Sequence, residues 1–174
     1  MYEDNNNEMS SWRILAPHDG SKQAKKALKK AIELSKLVKA GLNNVEINML
    51  YVVPEIYVPS RLFDRDVNIK SIVTGNRLTT QQYLKEFYHE MKSKTKTMLE
   101  TQKKEQNGTS DIDIKTHVIY GNPSDKILEF AEKHHIDLIV MGSTGLSGFS
   151  KLKALGSVAR NVSERAKSPV MIVR

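Results

Sequence analysis

Five short apolar stretches in this chain alternate with segments whose apolar residues recur at three- and four-residue steps. The stretches are Ile14-Leu15-Ala16 closed by Pro17, Val45 to Val53, Ile112 to Tyr120, Ile136 to Met141, and Val170 to Val173 after Pro169. Short apolar runs suit strands buried in a parallel sheet, whereas the 3.6-residue period suits helices lying on that sheet. The first helical face is Ala24, Ala27, Leu28, Ala31, Ile32, Ser35 and Val38, with Ser21 as cap and Gly41 as stop. A long second helix runs from about Thr80 to Lys104 and ends at Asn107-Gly108. A third opens on Asn122-Pro123-Ser124-Asp125, in which Asn caps, Pro takes the first helical position and Asp complements the dipole. A fourth begins near Gly156. Strand-helix alternation of this kind predicts an α/β fold, a doubly wound five-stranded parallel sheet in the order 3-2-1-4-5 with helices on both faces. Ligands in such sheets bind beyond the carboxyl ends of the strands, where the winding reverses.

The rest of the chain sets boundaries. Residues 1–10 are polar and acidic, without the basic start and apolar core of a secretion signal, and read as a flexible tail before one domain spanning 11–174. Residues 55–79 have no strong period and are broken by Pro59 and Gly75; they are expected to form an inserted or lid loop with a little helix. The absence of cysteine excludes disulfides and thiolate chemistry and fits a reducing interior, so the cytoplasm is the expected location. The net charge of +7 raises nucleic acid as a partner. Much of the excess, however, lies on helical lysines such as Lys22, Lys25 and Lys29, which suit a solvated helix back, and few aromatics interleave with them.

Two segments at carboxyl strand ends are suited to an anion. One is Pro17-His18-Asp19-Gly20-Ser21; the other runs from Met141-Gly142-Ser143-Thr144-Gly145 through Gly148 to Gly156-Ser157-Val158. Glycine lets the backbone approach a phosphate, and a helix opening at Gly156-Ser157 aims free amides at the same place. A Gly-Ser-Thr-Gly loop is equally a tight turn, and the downstream Gly-Ser is what favours the ligand. Asp19 would repel phosphate directly, so its expected role is through Mg²⁺ or through the ribose or base. The P-loop and the nucleophile-elbow spacing are both absent. His134-His135 suits a helix end, and His89 and His117 have no acidic or histidine neighbour at ligand spacing.

From Trp12 to Arg174 the sequence resembles the universal stress protein family. Nucleotide-binding members carry Gly-x-x-Gly, nine residues, then Gly followed by Ser or Thr; here Gly142-Ser143-Thr144-Gly145 is followed by ten residues and Gly156-Ser157. The resemblance implies binding of ATP or AMP, with Mg²⁺ as an accompanying ion, by a stress-response module. It places Pro17 and Asp19 beside the nucleotide, Ile47 against adenine, and Met141 and Gly142 beside the adenosine. Gly145, Gly156, Ser157 and Val158 become the phosphate loop and helix start, and Thr144 stands where some members have histidine. It also implies a homodimer through Val170–Val173. Two alternatives stay open: a nucleotide-independent interaction module, and a slow ATPase or autophosphorylating enzyme, for which no general base is evident.

Overall fold

The computed structural model describes residues 11–39, 44–55, 57, 69–71, 73–106, 112–146 and 155–174. In chain order the elements are β1 (Ser11–Pro17), α1 (Lys22–Lys39), β2 (Asn44–Val53), β3 (Ile69–Lys70), β4 (Arg77–Leu78), α2 (Thr80–Gln106), β5 (Asp113–Tyr120), α3 (Pro123–Lys133), β6 (Leu138–Gly142), α4 (Ser157–Arg165) and β7 (Val170–Val173). Five strands form one sheet in the order β5-β2-β1-β6-β7, every pair parallel. Counting the long strands alone, this is the predicted 3-2-1-4-5.

Side-chain alternation divides the core between the two faces of the sheet. Ile14 and Ala16 of β1 join Ile47, Met49 and Ile114 in a cluster covered by α1 and by Leu99 of α2. Leu15 joins Leu50, Ile139 and Met141 in a second cluster beneath Phe130 of α3 and Val162 of α4. Complete burial of an Ile or Leu contributes about 1.5–3 kcal/mol, so these two layers fix the positions of the strand ends.

The helix starts are local. Ser21 Oγ accepts from Ala24 N at 3.1 Å, and Asn122 Oδ1 accepts from Ser124 N and Asp125 N at 3.0 and 3.3 Å. The expected stops at Gly41 and at Asn107-Gly108 lie outside the described residues, as does the tail 1–10. Of the 55–79 segment, expected to be a loop with a little helix, residues 55, 57, 69–71 and 73–79 are described, and they carry an antiparallel pair, β3 with β4. Glu86 of α2 holds its turn, accepting from Ser71 Oγ at 2.6 Å and from Val73 N at 3.1 Å. No described helix is long and apolar enough to cross a membrane.

Candidate functional site

Chain direction decides where a ligand can enter. From β1 the chain winds outward through β2 to β5, then returns to lay β6 and β7 on the other side of β1. The reversal leaves a crevice between the carboxyl ends of β1 and β6. A cavity of about 350 Å³ occupies that place, bordered by Pro17, Met141, Gly142 and the first turn of α4.

One wall is the β1–α1 turn, and its own side chains wire it to backbone amides. His18 N donates to Leu50 O at 2.8 Å, which continues the β1–β2 pairing one residue past Pro17. His18 Nδ1 accepts from Gly20 N at 3.2 Å, which puts the ring proton on Nε2. The imidazole is 3% exposed, and Nε2 has no hydrogen-bond partner among the described residues. Burial pushes the His18 pKa below 6.5, against the pull of Asp19 and helped by Lys25, so the ring is neutral. Asp19 Oδ1 accepts from Ser21 N and Oδ2 from Leu146 N, each at 3.0 Å. Its carboxylate therefore joins the turn to the loop after β6. Nearby, Tyr51 has its pKa raised by burial and then by the Asp19 charge.

The other wall is backbone. Gly142 ends β6 so tightly against α1 that a Cβ there would stand 2.8 Å from Gln23 Cβ and 2.9 Å from Gln23 C. Ser143 N donates to Val173 O and Ser143 O accepts from Gly156 N, both at 2.8 Å. These two bonds bring the loop after β6, the end of β7 and the start of α4 together. A Cβ on Gly145 would approach Asp19 Oδ2 to 2.6 Å, so a larger residue there would have to push the carboxylate aside. Gly156 caps α4 without a side-chain hydrogen bond, and no acidic residue stands in that helix's first turn. The opening amides of a helix have no intrahelical acceptor, so Ser157 and Val158 present donors and a positive dipole end to the cavity.

Nine of the ten residues expected at the site border this cavity: Pro17, Asp19, Met141, Gly142, Thr144, Gly145, Gly156, Ser157 and Val158. Ile47 does not. It is fully buried on the other face of the sheet, paired between Ile14 and Ile114. Since Pro17 pairs with Leu50, the β2 contribution to the crevice begins three residues later, and Leu50, Tyr51 and Val52 form it. His18 lies in the Pro17–Ser21 segment and was given no role by the resemblance, yet it too borders the cavity. Its signal was its place directly after the proline that ends a buried strand. Serine, histidine and aspartate in the turn each bond backbone amides, which leaves no Ser-His pair. His117 has a partner that spacing did not foretell: its Nε2 lies 2.8 Å from Asn48 Oδ1. Ser147 and Gly148 lie outside the described residues. Among the described residues no group of three or more His, Asp or Glu could hold a metal ion. The glycine-lined approach and the uncapped start of α4 do fit a phosphorylated ligand.

Comparison with known proteins bears on the family and the fold. The profile of the universal stress protein family matches residues 12–174. Universal stress protein MJ0531 of Methanocaldococcus jannaschii is 33% identical over 165 residues, covering 93% of this chain and 81% of that one. Among solved structures, universal stress protein UspA from Lactobacillus plantarum is 25% identical with a TM-score of 0.74, covering 94% of this chain and 97% of that one. A universal stress protein in complex with cAMP shares the fold at 21% identity and a TM-score of 0.56, covering 94% and 96%.

Proposed function

The chain belongs to the universal stress protein family, and from that premise we propose that it is a regulatory module binding an adenine nucleotide, ATP or AMP, in the β1–β6 crevice. One observation carries the proposal. The glycine loop after β6 and the uncapped start of α4 meet at the Gly156 N to Ser143 O hydrogen bond of 2.8 Å, and both border one cavity. Phosphate would take the amides of Gly145, Ser157 and Val158, and the apolar side chains of Leu50, Val52 and Met141 would receive the base. The cAMP complex of a protein with this fold makes adenine the first base to test. Several charge-assisted bonds set against the cost of immobilising the ligand correspond to about −8 kcal/mol, a micromolar dissociation constant.

Binding rather than turnover suits the residues. No described residue bordering the cavity is an evident general base: His18 Nδ1 already accepts with its lone pair, and Asp19 is held by two backbone amides. Magnesium would enter with the nucleotide. The half-buried β7, an edge strand of Val170–Val173, is the surface for a homodimer, and the cysteine-free composition suits the cytoplasm. Titration calorimetry with AMP and with Mg²⁺-ATP tests the site. Saturable heat at micromolar ligand is expected, and no heat at millimolar concentrations of either would refute it.

A further inference from the structure

Asp19 is the one acidic residue bordering the cavity among the described residues, and no lysine or arginine borders it there. Its carboxylate is pressed into the loop that supplies donors: Oδ2 accepts from Leu146 N at 3.0 Å and would lie 2.6 Å from a Cβ on Gly145. Oδ1 accepts from Ser21 N at 3.0 Å. Among the described residues, a phosphate chain at this loop would meet neutral amides beside a negative charge. Like charges a few ångströms apart in a partly desolvated site repel strongly, and the repulsion grows with each uncompensated charge on the ligand.

We propose that Asp19 is a positioning residue with two effects. It ties the loop after β6 to the β1–α1 turn, and it sets the ligand charge that the site accepts. Nucleotides with few uncompensated charges, a monophosphate or a triphosphate neutralised by a divalent cation, are preferred over a bare triphosphate. Asp19 acts here through the loop and through its field, not as a ligand of the cation. The inference rests on nucleotide binding at this site.

Wild type, Asp19→Asn and Asp19→Ala are titrated with AMP, with Mg²⁺-ATP and with ATP in EDTA. Loss of the tie should weaken all three ligands by a common factor in the variants. Loss of the charge should lower the ratio of the Kd for metal-free ATP to the Kd for AMP by roughly tenfold. An unmoved ratio leaves a structural role only and overturns the inference. Selective loss of Mg²⁺-ATP binding, with the other two ligands unchanged, makes Asp19 a metal ligand and also overturns it. If neither variant folds, wild type alone decides: metal-free ATP must bind at least roughly tenfold more weakly than AMP, and equal or tighter binding refutes the inference. If wild type binds none of the three ligands, the proposed function falls as well, whereas binding with an unmoved ratio removes only the role given to Asp19.

Discussion

The starts of α3 and α4 border the same cavity, yet they treat their free amides in opposite ways. At α3, Asn122 Oδ1 takes two amides, Pro123 removes a third donor, and Asp125 supplies negative charge to the first turn. At α4 the cap is Gly156, no side chain accepts from the first turn, and no acid stands there. Both helices bury an apolar face against the sheet, with Ile127 and Phe130 in one and Ala159 and Val162 in the other. The difference is therefore not about folding the helix. A sealed start stabilises its own helix by about 1 kcal/mol, whereas an open one leaves that interaction for a guest.

The sharpest way to break the contrast is to seal α4. Gly156 has φ −63° and ψ 155°, which any residue adopts, so Gly156→Asp can cap the helix and bring a negative charge to its amides. Nucleotide affinity should fall about 100-fold, equivalent to about 2.7 kcal/mol, while the urea midpoint holds or rises. Retained affinity would mean that the α4 amides are not the phosphate site. Next in size is Gly142→Val, where the new Cβ meets α1 at 2.8–2.9 Å. The overpacking should cost about 1–3 kcal/mol in chemical denaturation. Opening the sealed helix with Asn122→Ala should cost about 1 kcal/mol and leave ligand affinity within twofold, measured by denaturation and calorimetry.

The smallest effect is protonic. Burial holds His18 and His117 below 6.5, so under that pH the unfolded chain binds protons that the folded chain refuses. Stability should be level above pH 6.5 and fall as the pH drops from there toward the folded-state values. Replacing His18 by Gln should make the decline shallower without removing it, because His117 remains. Urea titrations between pH 7 and about pH 5.5 would read this, and an unaltered slope would detach His18 from it.

These helix starts also show what a sequence can and cannot disclose. The α3 start is written in adjacent residue types, Asn-Pro-Ser-Asp, whose preferences are local, so its cap was legible. The open α4 start was legible too, as a Gly-Ser pair downstream of a glycine loop. Ile47 shows the limit. Alternation gives the side of a strand on which a residue lies, but the register with β1 decides which residues reach the carboxyl end, and that register selects Leu50 to Val52. The partner of Asp19 was hidden for a similar reason: Leu146 N is 127 residues away. Strands β3 and β4 have two residues each, too few to show a period, and they depend on Glu86 from α2.

The most direct measurement is a ¹⁵N–¹H titration with AMP that follows backbone amides at three places. Gly145, Ser157 and Val158 should shift together and saturate with one dissociation constant, while Ser124 and Asp125 at the sealed start of α3 stay still. Movement confined to only one of the two segments, or greater movement at the start of α3 than at the start of α4, would contradict a shared phosphate site.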